Sequence, residues 1–308
     1  MFKHYSVLKE ESIEGLRIRP DGIYVDCTTG GGGHSLEIAS RLTTGQLICF
    51  DKDQDALNAA HERLAEHLDK IRFIQADFFD IKDVLYSIGI EKVDGIIADL
   101  GVSSYQIDTA ERGFSYMADG PLDMRMNQNA DFSAYDVVNE YSEEDLRKIM
   151  FTYGEERNSS AIARRIVEKR KLKPISTTFE LKEIVTSCYP PAQRFKPALA
   201  NKVFQAIRIE VNGELKGLDE AIEDMIDCLK PNGRLSIITF HTLEDRAVKN
   251  IFKTHATDCI CPPQFPVCVC HHKADIKLIT RKPIMPSERE LKENSRSASA
   301  KLRIAEKL

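Results

Sequence analysis

Two spacings of apolar residues alternate along the first hundred positions. Short runs rich in β-branched and apolar side chains occupy residues 23–25, 45–51, 71–76 and 93–99. Between them lie stretches of helical spacing: Leu36, Ile38, Ala39 and Leu42, then Ala56, Leu57, Ala60, Leu64 and Leu68 within 53–69, then a short segment at 80–88. Runs of four to seven apolar residues read as strands, and apolar positions three and four apart read as one face of a helix. Strands alternating with helices predict a parallel sheet covered on both sides. Residues 1–22 read as a lead-in that ends at the turn Arg19-Pro20-Asp21-Gly22.

Each of the four runs ends on or beside an acid: Asp26, Asp51, Asp77 and Asp99. In a parallel sheet these ends share one rim, which is where such folds bind ligands. Phe78, next to Asp77, is placed to touch a base, whereas Phe79 reads as core. The regularity then breaks. Residues 103–132 carry no period and are rich in Asp, Gly, Met, Arg and Asn, as functional loops are. Four helices are expected next: one capped by Ser142 with Leu146, Ile149, Met150 and Tyr153 on its face, one over 159–173, one capped by Thr177 with Glu180, and one over 197–211. Sheet-like patterning resumes with a helix face at Ile222, Met225, Ile226 and Leu229, the turn Lys230-Pro231-Asn232-Gly233, and a strand at 235–240. A strand at 276–279, a helix capped by Ser287, and period-two alternation at 298–304 complete the pattern. The predicted organisation is a discontinuous α/β domain, 1–105 with 214–308, carrying an inserted helical domain at 106–213.

Composition adds boundaries rather than a function. The 308 residues are 42% hydrophobic and 30% charged, with a net charge of -5, so bulk charge points to no polyanion and any basic surface must be local. No apolar run approaches the ~20 residues of a membrane span. The first residues, Met1 to Ser6, lack the apolar stretch of a signal peptide, so a cytoplasmic protein is expected. Eight cysteines in such a chain suggest thiols or metal ligands before disulfides.

The strongest local chemistry is the run Asp26-Cys27-Thr28-Thr29-Gly30-Gly31-Gly32-Gly33-His34-Ser35 between strand and helix. Glycines permit a tight turn, and the following helix aims free N–H groups at it. Asp51, ~20 residues on, stands where nucleoside-binding sheets grip ribose hydroxyls. A dinucleotide fingerprint wants a third glycine where Ser35 stands. An acid before the turn suits a cationic ligand such as S-adenosylmethionine.

These segments resemble the MraW (RsmH) family of bacterial small-subunit ribosomal RNA cytosine-N4 methyltransferases. The likeness rests on Asp26-x-x-x-Gly30-x-Gly32-Gly33-His34-Ser35, Asp99-Leu100-Gly101-Val102-Ser103-Ser104-x-Gln106, Glu111-Arg112-Gly113-Phe114-Ser115 and Gly120-Pro121-Leu122-Asp123-Met124-Arg125-Met126. Asn201 to Asn212, Phe240-His241-x-Leu243-Glu244-Asp245-Arg246 and Ser299-Ala300-Lys301-Leu302-Arg303 extend it. The resemblance implies a Rossmann-like class I S-adenosylmethionine-dependent methyltransferase sheet with an inserted, mainly helical, substrate-recognition domain. It implies transfer of a methyl group to the exocyclic amine of a cytidine in the decoding region. The implied cofactor-binding residues are Gly32, Gly33, His34, Asp51, Phe78, Asp99 and Gln106. The implied partner is small-subunit ribosomal RNA in an assembled subunit. The oligomeric state stays open, a homodimer included.

An amine delocalised into a ring is a poor nucleophile, so the enzyme must hold it aligned. Asp99 is the catalytic candidate, although Asp99-Leu100-Gly101-Val102 lacks the Pro-Pro-aromatic platform of many amino-methyltransferases. Asp123 and Arg125 are the substrate-binding candidates, with a loop-internal ion pair as the plain alternative. Arg164, Arg165, Lys169, Arg170, Lys171 and Lys173, then Arg194, Lys196, Lys202 and Arg208, could meet phosphates or simply solvate helix faces. Cys259, Cys261, Cys268 and Cys270 suit a zinc site, with reduced thiols or a disulfide as the alternatives; their Cys-x-Cys spacing is tighter than usual. Two other classes compete. A nicotinamide-dependent dehydrogenase needs the missing glycine. An RNA-binding assembly factor without activity would not need both Asp51 and Asp99.

Overall fold

β1 (Ile23–Asp26), β2 (Gln46–Asp51), β3 (Ile71–Gln75), β4 (Val93–Asp99) and β5 (Leu229–Thr239) run parallel, with β1 between β2 and β4. β6 (Ile276–Leu278) and β5 both pair antiparallel with β7 (Lys301–Lys307), which closes a seven-stranded sheet in the order β3-β2-β1-β4-β5-β7-β6. The computed structural model describes residues 6–194, 198–262, 264–265 and 267–308. Leu47, Ile48, Cys49 and Phe50 of β2 and Val93, Ile96, Ile97 and Ala98 of β4 are buried, as strands covered on both faces must be. The chain moves outward from β1 in one direction to β3 and in the other to β5. The gap where that direction reverses, at the carboxyl ends of β1 and β4, is the ligand crevice of open α/β sheets.

α1 (Lys9–Leu16) occupies much of the expected lead-in. Ile13 and Leu16 are buried in the same apolar cluster as Tyr24 and Leu47. Its buried positions also include Ser12 and Gly15, so its sequence shows little apolar periodicity. A Cβ on Gly15 would overlap the Ile304 side chain, so the glycine permits this close approach. α2 (Gly33–Ala39) follows the glycine turn, and α3 (Gln54–Arg63) is capped by Asp53, whose side chain accepts from the Asp55 amide at 3.1 Å. The helix expected through residue 69 breaks at Leu64 into a 3-10 turn, Ala65–Lys70. α4 (Ile81–Ser87) leads to β4.

The chain divides into two compact units, Met1–Gly101 with Gly217–Leu308, and Val102–Lys216. The second holds α5 (Ser104–Asp108), α6 (Ala134–Glu140), α7 (Glu143–Thr152), α8 (Ser159–Arg170), α9 (Thr178–Ser187) and α10 (Asn201–Asn212). Ser142 caps α7, and Thr177 and Glu180 form the capping box of α9. α6 was not apparent in the sequence, because only Ala134, Val137 and Val138 of its seven residues face inward. The proposed helix start at Pro197 lies outside the described residues. The aperiodic stretch before α6 is packed rather than loose: Leu122, Met124 and Met126 sit in the core of this unit with Leu146, Met150, Ile166 and Ile207. The Met126 amide donates to Asn212 Oδ1 at 2.8 Å, and the Leu122 amide donates to the Ser176 carbonyl at 3.0 Å. Gly113 has φ of +69°, and a Cβ there would overlap the Pro121 carbonyl.

α11 (Leu218–Asp227) returns the chain to the sheet. The expected turn at residues 230–233 is a bulge inside β5: Val93 pairs with Leu229, and the next partner, Gly95, pairs with Arg234. Asn232 takes φ of +67° there. α12 (Thr242–His255) follows β5, and α13 (Glu288–Glu293), capped by Ser287, precedes β7. β7 alternates in sequence, yet Leu302, Arg303, Ile304 and Ala305 are all buried. Arg303 tolerates this because its Nε donates to Asp245 Oδ1 at 2.7 Å. Among the described residues, no helix is long and apolar enough to cross a membrane.

Candidate functional site

The parallel pairing of β1 to β4 brings Asp26, Asp51, Asp77 and Asp99 to one rim of the sheet. Their roles differ. Asp26 is buried and braces the turn: Ser35 Oγ donates to one oxygen at 2.6 Å and the Thr28 amide to the other at 3.2 Å. Burial pushes its carboxyl up to about 6. It therefore holds the glycine loop in shape rather than facing a ligand.

Asp51 accepts from the Gly30 amide at 2.8 Å on one oxygen and from the Asp53 amide at 2.9 Å on the other. Burial outweighs these donors and pushes its carboxyl up to about 6 as well. The bond to Gly30 locks the second strand end to the turn after the first. Within that turn Gly30 and Gly32 take φ of +48° and +73°. The space a Cβ would need at Gly32 is taken by Ala60 of α3, and at Gly33 by the Ser6 hydroxyl. Gly32 is thus favoured by conformation and by its tight contact with α3, and Gly33 by packing against Ser6.

Asp99 closes the rim. Its amide donates to Thr28 Oγ1 at 2.6 Å. Its Oδ1 is buried with no hydrogen-bond partner, and Oδ2 lies 3.9 Å from His34 Nδ1. His34 is buried, and its Nε2 donates to the Val7 carbonyl at 3.0 Å, which leaves Nδ1 facing the carboxyl. Burial first, then the charges of Asp26, Glu244 and Glu290, hold the Asp99 carboxyl well above the ordinary range. A half-buried acid crowded by other acids, with one buried oxygen idle, is a receptor for a cation or a hydrogen-bond donor.

Phe78 and Phe79 are both half-buried, with ring centroids 4.6 Å apart, so the expectation that Phe79 is core is not met. Lys52 lies 3.0 Å from Asp77 and faces the Phe79 ring at 5.9 Å. An open aromatic surface therefore exists at the third strand end. Glu244 was not singled out as a site residue, although it belongs to the Phe240 to Arg246 motif. It is buried and accepts from the Phe240 amide at 2.8 Å, just past the carboxyl end of β5. Its position after a fifth strand end was the available signal.

In the second unit, Gln106 is buried and completes a capping box with Ser103 at the start of α5. Asp123 and Arg125 form the loop-internal pair: Arg125 Nε and Nη2 reach Asp123 at 3.0 and 2.6 Å, and Nη1 donates to the Ala130 carbonyl at 2.6 Å. The basic residues separate into two groups. Arg170 donates to the Val138 and Tyr141 carbonyls, and Arg208 makes a bidentate pair with Glu214 at 2.8 and 2.9 Å. Lys202 and Arg194 likewise donate to backbone carbonyls. Arg164, Lys169, Lys171 and Lys173 are exposed; Lys196 lies outside the described residues.

Far along the chain, the thiols of Cys259, Cys261, Cys268 and Cys270 gather within 4.8 Å of one another. All eight cysteines are free. The description of the MraW methylase family matches residues 1–308. The ribosomal RNA small subunit methyltransferase H of Finegoldia magna is 57% identical, covering 100% of this chain and 99% of the relative. The proteins of the same name from Brevibacillus brevis and Clostridioides difficile are 54% and 53% identical, each over 100% of this chain and 98% and 99% of theirs. Among solved structures, an rRNA methylase from Streptococcus thermophilus is 12% identical with a TM-score of 0.41, covering 98% of this chain and 95% of that one.

Proposed function

The chain belongs to the MraW methylase family, and from that premise we propose that it transfers a methyl group from S-adenosylmethionine to N4 of a cytidine in the decoding region of small-subunit ribosomal RNA. It is an S-adenosylmethionine-dependent ribosomal RNA methyltransferase on a Rossmann-like α/β sheet. One observation carries the donor assignment: the buried, unpartnered Oδ1 of Asp99, among carboxylates at the switch point of the sheet. A dinucleotide phosphate would be repelled there, whereas a cationic amino acid end is drawn in.

The residues fit such a donor. Asp51 would hold the ribose hydroxyls, Phe78 would lie along the base, and Gly32, Gly33 and His34 would frame the turn. Asp99 would complete the pocket at the rim of the sheet. The donor supplies an electrophilic methyl on a sulfonium. The chain's part is alignment. The cytosine amino nitrogen must approach in line, and a hydrogen-bond acceptor localises its lone pair. Asp99 is proposed as that acceptor, its carboxyl returned to the ionised form by the positive charge of the bound donor. The departing N4 proton passes to it or to solvent, so the products are N4-methylcytidine, S-adenosylhomocysteine and one proton.

The second unit, Val102–Lys216, is proposed as the RNA-recognition part. Arg164, Lys169, Lys171 and Lys173 support this, being exposed cations on or just after one helix. Asp123 and Arg125 enter as the pair that shapes the substrate-side loop. The RNA is proposed to be met in an assembled subunit, in the cytoplasm, where ribosomal RNA is matured. Zinc stands outside the methyl-transfer chemistry, since the four-thiol cluster flanks the edge strand β6.

Calorimetry separates the leading readings. S-adenosylhomocysteine should bind and NAD should not; the reverse would replace the enzyme class. Mass spectrometry of ribosomal RNA from cells lacking the protein should show one decoding-region cytidine short of a methyl group, restored by the gene. Methylation of assembled subunits but not naked RNA would support the substrate form.

A further inference from the structure

Among the described residues, the loop between α12 and β6 has little apolar packing to hold its shape. Ile260, Val267 and Val269 are 51%, 71% and 60% exposed, so these residues do not form a core. Its base is fastened by polar contacts: His272 Nδ1 donates to the Thr257 carbonyl at 2.7 Å, the Ala274 amide donates to Asp258 Oδ1 at 3.2 Å, and His255 Nδ1 meets Asp275 Oδ1 at 2.8 Å. At its tip the four cysteine sulfurs converge. Cys268 Sγ lies 3.6 Å from Cys270 Sγ, which lies 3.9 Å from Cys259 Sγ. Small segments of this kind need a staple.

The sulfur spacing says which staple. A disulfide would bring two sulfurs to about 2.05 Å. A tetrahedron with Zn–S bonds of about 2.3 Å has edges of about 3.8 Å, and the two Sγ–Sγ distances fall on either side of that value. Val269 N–H donates to Cys261 Sγ at 3.4 Å, which holds that sulfur in the cluster, and the thiolate is the form a metal binds.

We propose that Cys259, Cys261, Cys268 and Cys270 bind one zinc ion as four thiolates, releasing four protons, and that this ion is structural and remote from methyl transfer. The remoteness follows from topology. α12 leaves the carboxyl end of β5 and runs for 14 residues, which is about 21 Å. β6 runs parallel to β5, since both are antiparallel to β7. The loop therefore joins the far end of α12 to the start of β6, at the rim opposite Asp51 and Asp99.

The test uses the full-length protein purified without chelator. Elemental analysis should find roughly one zinc per chain, and C259S and C268S should lose it while C188S keeps it. Mercurial titration of the wild-type protein should release zinc in step with four protected thiols. Cobalt substitution should give thiolate charge-transfer and tetrahedral d–d absorption. The cysteine variants should bind S-adenosylhomocysteine as the wild type does, so loss of zinc and loss of donor binding are read separately. The idea is overturned if zinc-reconstituted protein holds no stoichiometric metal and all its exposed thiols react freely. Iron in place of zinc, a disulfide seen by mass under non-reducing conditions, or full zinc retention by C268S would overturn it equally.

Discussion

The Asp99 amide donates to Thr28 Oγ1 at 2.6 Å, tying the end of β4 to the turn that leaves β1. The backbone of Asp99 is thus committed to the fold while its Oδ1 is committed to nothing. Asp99→Asn keeps the backbone tie and removes only the carboxylate. If Asp99 accepts from the cytosine amine, the methyl-transfer rate at saturating donor should fall about 100-fold, as for other lost electrostatic contacts in active sites. Rapid-quench single-turnover assays check this. A rate that stays at the wild-type value while donor affinity drops would assign Asp99 to the donor alone.

Asp51→Ala removes the acceptor for the Gly30 and Asp53 amides as well as the expected ribose contact. Each hydrogen bond to a charged group is worth about 1.5–3 kcal/mol. S-adenosylhomocysteine affinity should fall by at least about tenfold. Circular dichroism should still report a folded chain, because the sheet core of Leu47, Ile48 and Phe50 is untouched. Unchanged affinity by calorimetry would remove Asp51 from the donor site.

Burial raises the carboxyls of Asp26 and Asp51 from 3.8 to about 6 in the folded protein. The folded chain therefore holds more protons than the unfolded chain between those values. The stability from these two groups is full below the unfolded value and is lost as pH rises through about 6. Ligand-free protein should gain thermal stability from these groups as pH falls from about 7 to about 5. Donor affinity should move the opposite way, because a protonated Asp51 is a poorer acceptor for ribose hydroxyls. Thermal unfolding and calorimetry at matched pH values read the two trends. Parallel trends would contradict the assignment.

Lys169 and Lys171 are exposed, whereas Arg170 between them is spent on the Val138 and Tyr141 carbonyls. The double change Lys169→Ala and Lys171→Ala should weaken RNA binding and make the slope of log affinity against log salt shallower by up to about 1.4–1.8. Donor affinity should not change. Arg170→Ala should instead lower the unfolding temperature. Filter binding across a salt series, with thermal unfolding alongside, distinguishes the two kinds of cation. No change in slope would place the RNA elsewhere.

What the residues disclosed and what they hid follow from the range of the interactions. Strand runs such as Val93 to Asp99 are buried on both faces and terminate in chemistry, so their local pattern is strong. Caps at Ser142 and Thr177 involve residues three apart and are equally local. α1 leaves little trace in the sequence because two of its buried positions are Ser12 and Gly15, which make sense only beside the sheet. The stretch around Met124 reads as an open loop in the sequence because its partners, Asn212 and the Ser176 carbonyl, lie far along the chain.

By itself the amino-acid order determined the alternation of strand and helix, the acids at the strand ends, and the glycine turn, since each depends on neighbours within a few residues. Only the tertiary structure decided that Asp26 braces a loop while Asp99 keeps an idle oxygen, and that Arg170 and Arg208 turn inward. It also decided that four thiols meet. Those outcomes depend on which distant groups reach each side chain first, and on how much water is left when they do.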